Sequence, residues 1–104
     1  MKLLKIYLGE KDNHGHKRMY EKIMELAYNE GLKGITVYKG IAGFGEKHHI
    51  HKSDFFTLSE DLPIIIEIID KKEKIINFQK IIANLKFDGI MFTQPIENYE
   101  EYKK

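Results

Sequence analysis

The stretch "DLPIIIEIID", residues 61 to 70, constrains the fold more than any other part of this sequence. Its isoleucines are β-branched and favour a strand, and a strand points successive side chains to opposite faces of a sheet. The even-numbered isoleucines therefore share one face, and the odd-numbered ones share the other face with Glu67. The first set is Ile64, Ile66 and Ile68, and the second is Ile65 and Ile69. A sheet built on this strand has apolar side chains on both faces, and both need to be covered.

The first half of the chain predicts a strand, a helix and a second strand. "KLLKIYLGE" has the period-two pattern of a strand. After the polar loop "KDNHGH", apolar residues recur at helical spacing from about Lys17 to Glu30, and Gly31 follows as a stop signal. "GITVYKGIAG", residues 34 to 43, is β-branched and aromatic and is typical of a strand.

The second half predicts a helix and a final strand after the isoleucine strand. Asp70 and Glu73 have the spacing of a capping box, and an apolar stripe then continues over a helix that ends near Lys86. "FDGIMFTQP" opens with an Asp-Gly turn and continues as a short strand that Pro95 terminates.

This order of elements predicts an α+β fold. With right-handed crossovers it gives a ferredoxin-like (βαββαβ) sandwich, an antiparallel four-stranded sheet with two helices on one face. The length of 104 residues fits one domain over residues 1–104. Because the helices cover only one face, a second copy of the chain is the simplest cover for the other. We therefore predict a homo-oligomer, either a dimer or a trimer, whose sheets face each other.

The composition excludes several classes of function. The chain has no cysteine, which excludes disulfides, thiolate metal sites and thiol nucleophiles and favours a cytoplasmic location. No window resembles a signal peptide, and the longest apolar stretch, "LPIIIEII", is too short to span a bilayer. The formal net charge of +1 gives no electrostatic footprint for nucleic acid or a membrane surface. We expect no nucleic-acid partner and no membrane insertion.

A long connection, about residues 44 to 61, joins the second and third strands, where hairpins typically use about two to five residues. Its beginning, "GIAGFG", holds Gly40, Gly43 and Gly45, which permit positive φ angles and let backbone N–H groups approach an anion closely. The same glycines would also serve a bulge and a bend at the end of a strand. Their spacing matches neither a dinucleotide fingerprint nor a P-loop, so the residues alone leave an anion cradle and a bend as alternatives.

The same connection carries His48, His49 and His51. Imidazole suits zinc, copper or nickel, and alternate residues such as His49 and His51 share one side of an extended segment. A cluster of this kind would also titrate near neutral pH. Solvated loop histidines are the plainer interpretation, because no cysteine or carboxylate stands at a fixed ligand spacing.

No arrangement of residues predicts an enzyme. Ser53 and Asp54 lie near the histidines, but neighbours in one loop do not preorganise a nucleophile and its base. Acylphosphatases share the fold class, yet they need an arginine in an anion loop after the first strand, where the chain has only Arg18 at the helix start. RNA-recognition modules stack bases on strand aromatics, whereas the third strand is aliphatic. We predict a protein without catalytic activity.

Three segments carry a resemblance to a known family. "GLKGITVYKGIAGFG", "DLPIIIEIID" after a polar loop, and "GHKRMYEKIMELA" resemble the PII-like signalling superfamily, and more closely its uncharacterised branch of domains of unknown function. The resemblance covers nearly the whole chain. It implies a homotrimer with its sheets packed inward, a mobile loop at about residues 44 to 61 that corresponds to the PII T-loop, and nucleotide binding between subunits. It also favours the trimer over the dimer.

The chain departs from the PII pattern after the second helix. PII proteins carry a glycine-rich phosphate-binding loop there, resembling TGxxGDGK, whereas this chain has "NLKFDGI", in which only Gly89 remains. A bound nucleotide, for which the resemblance implies adenine, would therefore need other groups from two subunits. The candidates are Lys39, Gly40, Gly43, Phe44, Gly45 and Lys47 of one subunit, with Phe92 and Gln94 of its neighbour.

The resulting hypothesis is a non-enzymatic, PII-like trimeric sensor. A small anionic ligand in the intersubunit cleft would order the loop, which would then dock on a target protein. The resemblance implies that the target is a membrane transporter or a metabolic enzyme. The alternative is a metal-binding trimer resembling divalent-cation tolerance proteins, in which His48, His49 and His51 bind a divalent transition metal. A scaffold without a ligand is the third interpretation.

Overall fold

The computed structural model describes residues 1–43, 51–52 and 62–103 of the chain. Four long strands in these ranges form one antiparallel sheet, and short pairs of residues form two small hairpins. In chain order the elements are β1 (Lys2–Gly9), β2 (Asn13–His14), β3 (Lys17–Arg18), α1 (Met19–Asn29), β4 (Ile35–Lys39), β5 (Ala42–Gly43), β6 (His51–Lys52), β7 (Pro63–Asp70), α2 (Lys72–Ala83) and β8 (Ile90–Pro95).

The main sheet has the strand order β4-β7-β1-β8. β1 lies inside the sheet and pairs with β7 from Lys2 opposite Asp70 to Gly9 opposite Pro63. On its other side β1 pairs with β8, from Lys2 opposite Pro95 to Tyr7 opposite Ile90. This order and the antiparallel pairing confirm the predicted α+β ferredoxin-like sandwich.

The core lies between one sheet face and the two helices. β1 and β7 direct alternate side chains into it, as period-two patterning requires, and each helix presents one apolar stripe to the same face. The centre of the core is closed, because Ile6, Ile23 and Ile66 have no exposed surface. The sheet residues are Leu4, Ile6, Leu8, Ile64, Ile66 and Ile68, and the helix residues are Met19, Ile23, Ala27, Ile75, Phe78 and Ile82.

The other face of the sheet, which we call the open face, is not covered by a helix in the described part of the chain. It is largely apolar or aromatic, and Ile90 is 63% and Phe92 36% exposed. The cross-strand register puts eleven side chains on it, namely Leu3, Lys5, Tyr7, Thr36, Tyr38, Ile65, Glu67, Ile69, Ile90, Phe92 and Gln94. The structure thus has the second apolar face that the isoleucine strand predicts.

Helix α1 differs from the prediction at its start and agrees with it at its end. Lys17 and Arg18 do not begin the helix, because they pair with His14 and Asn13 in the small β2–β3 hairpin. At the other end Gly31 adopts φ +71°, and the Leu32 N–H donates to the Ala27 carbonyl at 3.2 Å. This is the Schellman arrangement that a glycine stop signal predicts.

Helix α2 corrects two predictions. It ends at Ala83 rather than near Lys86, and Lys86 has a positive φ of 54°. Its N-cap is Lys71, which makes no side-chain cap hydrogen bond, so the capping box of Asp70 and Glu73 is wrong. The Asp70 carboxylate is buried at the end of β7 and accepts from the backbone N–H groups of Lys33 (2.9 Å) and Lys71 (2.7 Å).

The two helices are also short. Neither described helix is long and apolar enough to cross a membrane.

Candidate functional site

The long connection leaves the sheet at the end of β4. The Gly40 N–H donates to the Pro63 carbonyl at 2.8 Å, which extends the pairing of β4 with β7 by one bond. The chain then forms a second small hairpin, in which Ala42 pairs with Lys52 and Gly43 with His51. Gly40 and Gly43 therefore lie at the root of the connection, next to the first residue of β7.

Gly40 has a steric role at this root. A Cβ atom on Gly40 would lie 2.7 Å from Cγ of Pro63, closer than real Cβ contacts come, whereas one on Gly43 would lie at an ordinary 3.6 Å. Neither Gly40 nor Gly43 has a positive φ, so packing against Pro63, and not a left-handed backbone, requires glycine at Gly40. The bend and the anion cradle, the two interpretations of these glycines, both stay predictions.

Lys39 presents a cationic group at this end of the sheet. Its ammonium lies 2.6 Å from Oε2 of Glu10, and its side chain is 48% exposed. Glu10 is itself positioned by its N–H, which donates to the Leu62 carbonyl at 2.9 Å. An anion that bound Lys39 would therefore meet Glu10 as a competitor.

Phe92 and Gln94 lie far from Lys39 within one chain. They belong to β8, which is one edge strand of the sheet, while Lys39 ends β4, which is the other. Three strand spacings separate the two edges, a distance of about 14 Å. Phe92 and Gln94 also belong to the open face, whereas Lys39 pairs with Ile64 of the core face. One chain does not bring the predicted set together, as expected if the second half comes from a neighbour.

Five of the predicted residues lie outside the described part of the chain: Phe44, Gly45, Lys47, His48 and His49. His51 is described by its backbone pairing in β6. Among the described residues no group of three or more His, Cys, Asp or Glu side chains could hold a metal ion. The metal site of His48, His49 and His51 stays a prediction.

Gly89 is the residue that remains where the resemblance to PII proteins implies a phosphate-binding loop, and the structure gives it a steric requirement. A Cβ atom there would lie 2.2 Å from the Tyr7 carbonyl oxygen and 3.0 Å from the Phe87 ring. The β1 backbone lies so close that only glycine, which has no Cβ atom, fits at this position.

The open face contains a polar cluster that sequence reasoning missed. Glu67 Oε2 lies 3.4 Å from the Lys5 ammonium and accepts from the Tyr38 hydroxyl at 3.0 Å. The Lys5 ammonium also lies 5.6 Å from the centroid of the Tyr7 ring, which stacks on Phe92 at 6.3 Å between centroids. Only the strand register could have indicated this cluster, because it places Lys5 of β1 opposite Glu67 of β7.

These contacts change the titration of the cluster. Desolvation and donation to Glu67 raise the pKa of the Tyr38 hydroxyl. Contact with the Tyr7 side chain raises the pKa of Lys5, and Glu67 adds to the effect. The cluster therefore holds one ammonium and one neutral phenol around a carboxylate, and each of the three groups has a partner.

Solved structures show which class of protein has this fold. CPII of Thiomonas intermedia bound to ADP and bicarbonate superposes with a TM-score of 0.62 at 23% identity, over 89% of this chain and 82% of that one. A second structure of CPII, described as a nitrogen regulatory PII-like protein bound to ADP, AMP and bicarbonate, gives 0.62 at 19% identity, over 97% and 94%. The chain has the PII-like fold.

Sequence comparison defines the branch. The profile of the DUF190 family, described as "Uncharacterized ACR, COG1993", matches residues 1–98. A UPF0166 protein of Methanocaldococcus jannaschii is 39% identical over 100 residues, which are 95% of this chain and 92% of that protein. A UPF0166 protein of Aquifex aeolicus is 38% identical over 96 residues, which are 92% and 90%. The chain belongs to the DUF190 family and has the PII-like fold, as its sequence predicted.

Proposed function

We propose that this protein is a non-enzymatic PII-like regulator. Three copies pack their open faces together, an adenine nucleotide binds in each cleft between copies, and the connection over residues 44–61 reports the ligand to a target protein. The observation that carries the proposal is the position of the predicted ligand residues on opposite edges of one sheet. A complete cleft then needs one edge from each of two copies.

The open face supports the assembly in this proposal. It exposes aromatic and aliphatic side chains that gain from burial, among them Tyr38, Ile69 and Phe92. The polar groups in its centre are already paired within the chain, so burying them leaves no unpartnered carboxylate or ammonium. A second copy of the same chain is the simplest cover for this surface, because most soluble oligomers are symmetric assemblies of one chain.

The ligand class is supported by chemistry at the root of the long connection. Lys39 offers an exposed ammonium there, and an ammonium is a common partner for phosphate. CPII, which has the same fold, is bound to ADP in both solved structures. A location in the cytoplasm belongs to the proposal, because the chain carries none of the disulfides that are common in small proteins of oxidising compartments. The target, a transporter or an enzyme, is part of the proposal as well.

Calorimetric titration with ADP, ATP and AMP, with and without bicarbonate, tests the ligand. We expect Lys39→Ala to weaken the tightest nucleotide by about 10- to 100-fold, the range for a lost charge-assisted hydrogen bond. Glu10→Gln should strengthen binding, because it removes a carboxylate that competes for Lys39. Lys80→Ala, on the exposed side of α2, is the matched control and should bind like the parent protein.

Native mass spectrometry of the untagged protein tests the assembly and reports retained ligands. A trimer with a nucleotide-sized mass is the expected result. Equal nucleotide affinity of Lys39→Ala and Lys80→Ala would contradict the proposed position of the cleft, and a monomer would contradict the assembly. Stoichiometric metal without nucleotide would favour the alternative with His48, His49 and His51.

A further inference from the structure

The outward side of α2 and its flanking residues are strongly basic. Residues 71–86 contain five lysines and one glutamate, a net charge of +4, whereas the whole chain carries +1. All five lysines are exposed, and they are Lys71, Lys72, Lys74, Lys80 and Lys86. The helix side of the molecule therefore has a local positive field that the net charge of the chain conceals.

These lysines lack the carboxylate partners that lysines elsewhere in the fold have. Lysines that contact a glutamate carboxylate are Lys5, Lys17, Lys22, Lys33, Lys39 and Lys103. Within the described part of the chain, none of the five lysines of residues 71–86 forms an ion pair, and Lys74 donates to the Gly31 carbonyl at 3.0 Å. Their charges are available to carboxylates from outside the chain.

The stability of the fold does not account for the lysines at the start of α2. Lys71 is the N-cap, and Lys72 and Lys74 lie in the first turn. The helix dipole places partial positive charge at this end, so cations are unfavourable there. Glu73 is the acidic side chain of that turn, and it offsets only part of the lysine charge. A carboxylate from another molecule would relieve this unfavourable arrangement.

An apolar side chain lies between two of the lysines. Ile76 is 37% exposed, and Lys72 and Lys80 stand four residues before and after it. Residues four apart are neighbours on a helix surface, and the two lysines are about 12 Å apart along the helix axis. We call Lys72, Ile76 and Lys80 the lysine face. A partner that matches it has one apolar side chain between two carboxylates.

The proposed packing of copies leaves the lysine face exposed. The other side of α2, with Ile75, Phe78 and Ile82, is buried in the core against the sheet. The sheet therefore lies between α2 and the open face. Copies that pack their open faces together direct α2 away from the contact, and the lysine face remains accessible to a partner.

We propose that the lysine face is a docking surface for a protein segment that carries two acidic side chains around an apolar one. Lys72 and Lys80 pair with the two carboxylates, and the apolar side chain packs on Ile76. A membrane surface fits less well, because interfacial helices insert an apolar face and that of α2 is already buried in the core. A nucleic-acid backbone offers phosphates but no apolar side chain for Ile76.

Two helical peptides of about fifteen residues test the proposal. The first has a central leucine with a glutamate four residues before and after it in a background of alanine and glutamine, and the second has glutamine in place of the leucine. Each is titrated at an ionic strength of about 0.1 M, which screens charges more than about 10 Å apart. The backbone amide resonances of Ile76, Asn77 and Lys80 are followed by NMR. We expect saturable shifts and a midpoint at least about fivefold lower for the leucine peptide, since each buried methylene contributes about fourfold.

Three variants locate the contact. Lys72→Gln with Lys80→Gln should raise the midpoint of the leucine peptide by about 5- to 25-fold, because one exposed ion pair contributes up to about fivefold. Lys17→Gln with Lys103→Gln removes the same charge from exposed lysines outside α2 and should leave the midpoint unchanged. Ile76→Gln should abolish the preference for leucine. A dispersed amide spectrum of each variant shows that it folds.

Linear shifts, an equal effect of the two double variants, or an unchanged preference for leucine in Ile76→Gln would overturn the proposal. Vesicles of phosphatidylserine and phosphatidylcholine and a single-stranded oligonucleotide are titrated in parallel. Tighter binding of either one that needs Lys72 and Lys80 would assign the lysine face to that partner and overturn the protein segment. No ADP, ATP or AMP is present, and one copy suffices for docking, so failure here is distinguishable from failure of the proposed regulator.

Discussion

At the scale of single residues, the nearness of the β1 backbone explains why a glycine stands where the sequence resembles part of a phosphate-binding loop. Gly89 lies where PII proteins carry a phosphate-binding loop, but the Tyr7 carbonyl oxygen leaves no room for a Cβ atom at this position. Gly34 is the contrasting case, because a Cβ atom there would meet nothing within 4 Å and its φ is not positive. One glycine is required by packing and the other is not.

We expect Gly89→Ala to lower the free energy of unfolding by about 2–4 kcal/mol, because the added methyl group has to displace backbone rather than a flexible side chain. Gly34→Ala should change it by less than about 1 kcal/mol, with a small gain because alanine restricts the unfolded chain. Urea denaturation at one fixed protein concentration measures both. Equal stability of the two variants would show that the β1 backbone yields at Gly89.

Candidate residues that are close together in sequence could be grouped from the sequence, and residues that are joined by strand register could not; the binding role of the candidates stays a prediction. Lys39, Gly40 and Gly43 were recognised from one stretch of sequence, and the structure places them together at the root of the long connection. Lys5 and Glu67 come together only through the pairing of β1 with β7. The link between Lys33 and Glu101 likewise depends on the path of residues 96–103, which follow β8. Period and composition do not encode these long-range contacts.

At the scale of elements, the long strands and helices were predicted because their apolar periods are unambiguous. The errors fall at helix ends. Leu85 packs on the core and continues the apolar stripe of α2, although the helix has already ended at Ala83. Asp70 looks like a capping residue, but its carboxylate is used by the backbone of the α1–β4 connection through Lys33. A helix end is decided by tertiary partners that its own sequence does not contain.

Residues 96–103, which follow β8, should detach from Lys33 in acid, because Glu101 holds them there. The pKa of Glu101 is about 2 in the folded protein and about 4.5 as the ordinary value, so the contact with Lys33 and Tyr99 is fully present above pH 4.5. As the pH falls through about 2, the folded carboxylate takes up a proton and the contact is lost. The NMR shifts of the Tyr99 ring protons measure this release.

Glu101→Gln is the control for that titration, because its side chain has no charge to lose. Its Tyr99 signals should already be near their released positions and should change little between pH 4.5 and 2. The same midpoint in Glu101→Gln and the parent protein would assign the transition to another group.

At the scale of the whole molecule, the open face is the largest departure from what a monomer tolerates. A monomer rarely presents stacked aromatics and aliphatic side chains across four strands without a partner. Tyr7 and Phe92 stack on this face, and Ile69 and Ile90 flank it. The paired charges of Lys5 and Glu67 in its centre suit a surface that is buried in one defined register.

We expect Phe92→Lys to weaken self-association by at least about 100-fold, since an unpaired ammonium would be buried against the face of another copy. Ile76→Lys is the matched control, because Ile76 on α2 is 37% exposed and Phe92 36%. It should leave the assembly unchanged. Sedimentation equilibrium over a range of protein concentrations compares them. Equal association of both variants would place the contact between copies away from the open face.

The position of β1 inside the sheet has a consequence for the kinetics of folding. Lys2 pairs with Asp70 on one side and Pro95 on the other. β1 is synthesised first, and it can pair only after β7 and β8, the last two strands of the main sheet, have been synthesised. Chains dominated by contacts of such long sequence separation fold slowly, because loop closure costs entropy before any pairing compensates for it. During synthesis on the ribosome, β1 therefore emerges without either neighbour. Its apolar residues must remain free of aggregation until nearly the whole chain has been translated.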